Sequence, residues 1–260
     1  MTEGSKGSLD VFGLAPYGEA IREATKAAME GAGAVLGRIC LPAAEELGLM
    51  YRDKVSYWRS KNLLAITRKL EQKMVEYNMP QGAHAHPRIA HAIVEQGSLA
   101  DESDVQDMWA GLLSSSCTEA GDDDSNLIFV NFLGALTRLQ ARVLKYACEE
   151  AQKVVAPGGL IFANRLVAAL DRLWEVAGER DIQRLDMDLD HLRSLGLIEG
   201  GLDTYNPKVV ILTPTALALH MYVRCQGSRL SPADFFKLTP ETAPSPQAPP
   251  TAADGPSSQA

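Results

Sequence analysis

The sequence lacks the short motifs by which many enzymes and metal sites are recognised. It contains no G-x-S-x-G, no P-loop and no G-x-G-x-x-G. Its four cysteines, Cys40, Cys117, Cys148 and Cys225, are dispersed and form no C-x-x-C pair. This excludes a zinc ribbon or a disulfide scaffold and is typical of core residues or free thiols in a reducing compartment. We predict no catalytic residue and no cofactor, although a triad assembled from distant positions would leave no motif.

Long apolar runs and a targeting segment are also lacking. The N-terminus "MTEGSKGSLD" has neither the basic nor the apolar region of a signal peptide. The longest uncharged run, "VVILTPTALALHMYV" at 209–223, is shorter than the roughly 20 residues that span a bilayer. We therefore expect a cytoplasmic protein without a transmembrane segment.

Positive charge is scarce overall but concentrated in one stretch. The net charge is −8 and the pI is about 5.2, which argues against a protein whose whole surface follows a phosphate backbone. Residues 51–73 nevertheless carry seven Lys or Arg against two acids. This asymmetry makes the stretch the candidate contact for an anionic partner.

The stretch at 51–77 is predicted to form one long helix. At 3.6 residues per turn its bulky residues fall on one packing stripe: Tyr51, Val55, Trp58, Asn62 and Ile66. Its basic residues flank that stripe and are the predicted partner-binding residues: Arg52, Lys54, Arg59, Lys61 and Arg68. The alternative interpretation is that these residues form a solvated flank or make internal ion pairs with acidic helices. It is favoured because long basic side chains usually cover apolar surface with their stems and keep their charges in water.

Helical periodicity predicts a mainly α protein with a smaller α+β part. We predict a flexible N-terminus at 1–18 and a helical bundle at 19–155, with a boundary at "APGG". The first two predicted bundle helices are an Ala-rich helix at 19–39 and a helix that restarts at Pro42. Helices at 51–77 and at 87–96 follow. The last two are a helix capped by Ser98 or Asp101 and a helix through 127–155. The C-terminal segment 237–260 is rich in Pro, Ala, Ser and Thr and is expected to be disordered.

Residues 156–236 are predicted to form a winged-helix-like module with a small β-hairpin. The order is helix 160–177, helix 182–195 ending at Gly196, strands "LIE" and "KVVILT", and a last helix at 214–225, capped by Thr213. The helix that would enter a DNA groove carries three acids, Asp186, Asp188 and Asp190. Carboxylates facing phosphates repel them, so a protein contact is favoured over DNA.

Two polar motifs resemble metal sites and fail in detail. His84, His86 and His91 form "HAHPRIAH", but no further ligand is evident in the sequence. "DDDSNL", beginning at Asp122, mimics the start of a calcium loop, yet leucines occupy the sixth and twelfth positions, where glycine and glutamate are needed. We expect no metal site and a solvated turn before a helix.

Several stretches resemble the Abi-alpha (abortive infection alpha) family of bacterial proteins. The resemblance covers roughly residues 40–200, and "DKVSYWRSKN" and "SLADESDVQDMWAGLL" are its most specific parts; "FVNFLGALTRLQARVLKYA" and "LDHLRSLGLIE" follow in the same order. It implies a bacterial protein linked to abortive infection, that is, defence against phage. It supplies no catalytic residues.

Two functional hypotheses of different classes follow. The first is a non-enzymatic interaction or sensor protein of phage defence with a protein partner. The alternative is a nucleic-acid-binding regulator that uses the basic helix face or the winged-helix-like module. A third interpretation, favoured less, is an effector whose helix at 19–39 contacts membranes.

Overall fold

The computed structural model describes residues 58–59, 62–63, 65–80, 83–206 and 208–239. The predictions for the N-terminus, for the helices before residue 58 and for residues 240–260 lie outside these ranges, as do Tyr51, Val55 and Cys40. Within the described ranges, no helix combines the length and the apolar character needed to cross a bilayer.

Five helices make up the first part of the described chain. The bounds are α1 at 65–76, α2 at Pro87–Gly97, α3 at Ser103–Ser115, α4 at Leu127–Ala135 and α5 at Arg138–Glu150. Residues 58–59 and 62–63 are helical too. The predicted packing stripe is confirmed where it is described, because Asn62 and Ile66 are buried and Trp58 is half-buried. Burial at every third or fourth position pins this helix to the bundle.

The single helix predicted through 127–155 is wrong, because the chain breaks between α4 and α5. Leu136 is extended, and Thr137 starts a new helix with a capping box. The Thr137 side chain accepts a hydrogen bond from N of Gln140 at 3.2 Å, and Oε1 of Gln140 accepts one from N of Thr137 at 3.0 Å. This reciprocal pair satisfies backbone donors that a helix start leaves open, so it stabilises the break.

Two predicted N-caps also differ from the structure. Helix α3 begins after Glu102, whose side chain makes no capping hydrogen bond, and neither Ser98 nor Asp101 caps it. The last long helix, α8 (Ala216–Gln226), begins after Thr215, whose hydroxyl accepts from N of Ala218 at 3.2 Å. The predicted cap, Thr213, belongs to a strand instead.

The helix predicted at 160–177 is two short strands followed by a short helix. Seven strands occur in the described ranges: β1 His84–Ala85, β2 Cys117–Thr118, β3 Lys153–Val155, β4 Ile161–Ala163, β5 Val167–Ala169, β6 Ile198–Leu202 and β7 Val209–Pro214. Helix α6 occupies Leu170–Ala177. The four-residue spacing of Phe162 and Leu166 imitates a helix, but β4 pairs with β3 in antiparallel register. Residues 156–159, the predicted boundary, form the turn of this hairpin.

A three-stranded antiparallel sheet with strand order β5-β7-β6 follows. Helix α7, Ile182–Ser194, precedes β6, and both it and the pairing of β6 with β7 confirm the sequence prediction. Gly196 ends the helix with φ +68°, a conformation in which glycine is favoured. A short helix, α9 (Pro232–Phe235), is the last element in the described ranges.

One continuous apolar core joins most of these elements. Helix α8 packs against α3 and α5, and Gly111 of α3 lies so close to the carbonyl of Cys225 that a side chain there would overlap it. Buried residues from α1 to α8 belong to a single cluster. The fold is therefore mixed α+β, and the division of the chain into two folding units near residue 156 stays a prediction.

Candidate functional site

The predicted partner-binding residues are divided by what the structure describes. Arg52, Lys54 and Lys61 lie outside the described ranges. Arg59 is half-buried; its Nε donates to Oγ of Ser98 at 2.9 Å, and a second guanidinium nitrogen approaches the carbonyl of Glu95 at 3.4 Å. Arg59 thus connects the helical residues 58–59 to the end of α2. Arg68 is exposed and has no polar partner among the described residues.

Two more basic residues of the stretch make internal contacts. Nζ of Lys73 lies 3.3 Å from Oδ2 of Asp107 and 3.2 Å from the carbonyl of Gln226, and the residue is buried. Nζ of Lys69 donates to Oγ of Ser103 at 3.1 Å. A buried ammonium needs such partners because desolvation of an unpaired charge is costly. Part of the positive charge therefore holds α1 to α3 and α8.

The outward face of α7 presents few free positive charges. Arg184 lies 3.3 Å from the Glu179 carboxylate, and Arg193 lies 2.6 Å from that of Asp190. Arg193 also donates to the carbonyl of Gly200 at 3.2 Å. Because each guanidinium already faces a carboxylate or carbonyl, this face offers little net attraction to phosphates.

A polar cluster on the inward side of α7 docks the helix onto the start of α5. Asp188 is 4% exposed, and its Oδ1 accepts from Nε2 of Gln140 at 2.8 Å and lies 3.5 Å from Oγ1 of Thr137. Nδ1 of His191 lies 3.2 Å from Oε1 of the same glutamine. Asp188 thus does not face solvent beside Asp186, and the predicted row of three surface carboxylates is wrong at its centre.

Exposed apolar side chains lie on α7 and in the turn between β6 and β7. Met187 on α7 is 63% exposed, and Ile182 at its first position is 37% exposed. Tyr205, in the turn between β6 and β7, is 98% exposed. Oδ1 of Asp203 accepts from N of Tyr205 at 2.8 Å and from N of Asn206 at 3.0 Å, which shapes this turn.

A cavity of about 500 Å³ lies where the loop after α2 meets the α4–α5 turn. Both oxygens of Glu102 are engaged at its rim, by Arg138 at 2.9 Å and by Arg142 at 3.1 Å. Sequence reasoning missed this site, because residues from α2 to α5 form it together. The one local signal was "TRLQ" at 137–140, the T-x-x-Q pattern of a capping box.

His86, His91 and the acidic loop make hydrogen bonds and ion pairs within the protein. His86 Nδ1 accepts from N of Arg88 at 3.2 Å, and His91 Nε2 lies 3.6 Å from the Glu95 carboxylate. In the acidic loop, Asn126 is buried and donates to the hydroxyls of Ser115 and Ser116. No three His, Cys, Asp or Glu residues converge as metal ligands in the part of the chain that the structure describes.

The three described cysteines are free and buried, as predicted for core thiols. Burial raises the pKa of Cys117 to about 12 and that of Cys225 to about 12. The pKa of Cys148 is also raised, chiefly by burial. Since the thiolate is the nucleophile, none of the three is poised for covalent chemistry at neutral pH.

The chain matches a known protein family. The sequence model of a family described as "Abortive infection alpha" matches residues 59–211, more than half of the chain. No curated protein and no solved structure matches the chain. The matched range begins at Arg59 and includes the cavity, the polar cluster around Asp188 and most of the three-stranded sheet.

Proposed function

The chain belongs to the abortive infection alpha family, and from this membership we propose that it is a non-enzymatic interaction or sensor protein of bacterial defence against phage. We place its action in the cytoplasm and its contact with a partner protein on the outward face of α7. In the described part of the chain the three cysteines are buried, and His86 and His91 contact residues close to them in sequence. These contacts agree with a non-enzymatic role.

The second half of the chain is proposed to act as a winged-helix-like module. Support comes from the element order α5, β5, α6, α7, β6, β7 and from the sheet order β5-β7-β6. In this arrangement α7 occupies the position of the helix that reads DNA in winged-helix proteins, and the β6–β7 turn with Tyr205 is the wing. Such modules also serve as protein-contact folds.

The observation that carries the proposal is the state of charge on α7. Its two outward arginines are paired within the chain, and Met187 on the same helix is exposed. A helix face that combines an exposed apolar side chain with paired charges suits contact with a protein, whose interfaces join apolar centres to polar rims. Phosphate binding would require free guanidinium groups instead.

The alternative, a nucleic-acid-binding regulator, is favoured by one observation. Arg68 is exposed within the stretch at 51–73 that is rich in Lys and Arg. Phosphate contacts would make affinity fall steeply with salt, and each lost contact would reduce the slope of log K against log salt by about one unit.

The experiment that separates the two hypotheses is fluorescence anisotropy with labelled duplex DNA and single-stranded RNA, at about 50 and about 200 mM salt. We expect no saturable binding at either concentration. Tight binding that weakens steeply with salt, and that is lost when Lys54, Lys61 and Arg68 are changed to Glu, would reject the protein-contact proposal in favour of the regulator.

A further inference from the structure

The cavity between the loop after α2 and the α4–α5 turn is open to solvent, and its lining is polar and apolar in nearly equal parts. Its volume, about 500 Å³, lies within the range of small-molecule sites. The apolar part of the lining comes from Val105 and Trp109 of α3 and from Leu133 and Leu136. This apolar part suits the ring or short chain of a small molecule.

Most charged groups at the rim of the cavity are paired within the protein. Arg138 and Arg142 both bind the Glu102 carboxylate, and Nε of Arg142 also lies 3.9 Å from Asp104. Asp101 is the remaining acid of the lining, and it is exposed to solvent. With most charges paired, the cavity has little net field with which to hold an ion, so an uncharged ligand suits it better.

One polar group of the lining is free to recognise a ligand. The side-chain amide of Gln96 makes no hydrogen bond to any described residue. Its Oε1 lies against Gly134 of α4, where a side chain on residue 134 would overlap it. Because Oε1 is packed against Gly134, the NH₂ of this amide is the group that can donate to a ligand, which complements the carbonyl of an amide or of a nucleobase edge.

The same turn that borders the cavity also holds α7. Leu136 and Arg138 line the cavity, while Thr137 between them caps α5 and lies 3.5 Å from Asp188. Gln140, one turn further, makes the 2.8 Å hydrogen bond to the same carboxylate. A ligand that shifts residues 136–138 would therefore act on the polar contact that docks α7.

We infer that this cavity binds a small uncharged molecule with an apolar ring and an amide-like edge, and that its occupancy is transmitted through Thr137 and Gln140 to α7. The biological consequence, a trigger for partner binding, rests on the proposed function. The binding and the transmission do not, because both are properties of the purified chain.

Binding is tested with acetanilide and thymidine, two uncharged molecules that join an apolar ring to an amide edge, by saturation-transfer NMR on the full chain. Small probes of this size bind with a Kd on the order of 1 mM in a matching site. We expect Gln96→Leu to weaken binding about tenfold, because it removes the amide. Leu99→Trp, at a half-exposed lining position, should abolish binding by filling the cavity.

The matched control is Val75→Trp, which adds the same ring at a position of α1 that is 79% exposed and outside the lining. It should bind both probes like the unchanged chain. Circular dichroism establishes that each variant is folded. If neither probe binds the unchanged chain, or if Gln96→Leu and Leu99→Trp bind as tightly as the control, the cavity is not a site of this class.

Transmission is tested by hydrogen–deuterium exchange of the peptide covering 182–194, with and without saturating acetanilide. We expect exchange in this peptide to change on binding, and not to change in Leu99→Trp. Binding without any change at 182–194 would overturn the coupling. Failure of the unchanged chain to protect bacteria from phage would instead overturn the proposed function and leave a positive binding result standing.

Discussion

The carboxylate of Asp188 on α7 accepts a 2.8 Å hydrogen bond from the side-chain amide of Gln140 on α5. Gln140 in turn belongs to the capping box that starts its helix at Thr137. The two residues are 48 positions apart in sequence, so the contact connects two distant helices. Asp188 is only 4% exposed there. The inward face of α7 therefore docks the helix onto α5, and the outward face is the one for which we propose a partner.

Loss of the Asp188 carboxylate should destabilise the fold. Asp188→Ala leaves the Gln140 amide buried without its acceptor, which costs about 1–3 kcal/mol of unfolding free energy. Asp188→Asn keeps an acceptor oxygen and should cost less. The measurement is urea unfolding, with exposed Asp186→Ala as the matched control, for which a change within about 0.5 kcal/mol is expected. Equal losses at 186 and 188 would contradict the buried contact.

The two tryptophans at helical packing positions should differ in their contribution to stability. Trp109 is 2% exposed and packs beside Gly97, whereas Trp58 is only half-buried. Trp109→Ala should cost about 3–5 kcal/mol of unfolding free energy, because it removes a buried ring and leaves a cavity. Trp58→Ala should cost clearly less in the same urea titration, and a larger loss at Trp58 would show that the stripe is packed differently.

Because the three thiols are buried, we expect the free energy of unfolding to fall in alkali. Their folded pKa lies above the ordinary value of 9.0, at about 12 for Cys117 and about 12 for Cys225. The unfolded chain therefore releases these protons first as pH rises, so the thiol contribution is complete below pH 9.0 and declines toward pH 12.

Urea unfolding between about pH 8 and 10 measures this decline. The double variant Cys148→Ala/Cys225→Ala should show a shallower dependence of unfolding free energy on pH than the unchanged chain. Iodoacetamide at neutral pH should label Cys117, Cys148 and Cys225 only after unfolding. Rapid labelling of any of the three in the folded chain would contradict their burial.

Sequence patterns predicted those elements whose signals are local and long. Helix α7 has apolar residues at helical spacing and Gly196 at its end, and the β-branched run at 208–213 predicted β7. The short strands β3, β4 and β5 were missed, because three residues carry no period and only their partners define them. The break at Leu136 was missed because apolar residues continue through it, and the capping box outweighs that continuity.

The candidate site was less predictable than the fold. Composition identified the basic stretch, but only contacts distant in sequence reveal that Arg59 holds Ser98 and that Lys73 holds Asp107. Burial of Asp188 likewise depends on Gln140, which no local pattern connects to it. The assignment of Arg52, Lys54, Arg59, Lys61 and Arg68 as partner-binding residues stays a prediction.

The defence function and the proposed contact face on α7 are tested together by the plating efficiency of a panel of phages on bacteria that express the chain. The unchanged chain and Ile128→Glu, which places a charge at an exposed apolar position of α4, should both protect. Met187→Glu should fold normally and lose protection, because it charges the centre of the proposed contact face on α7. Full protection by Met187→Glu would contradict the role of that face, and no protection by the unchanged chain would contradict the defence function itself.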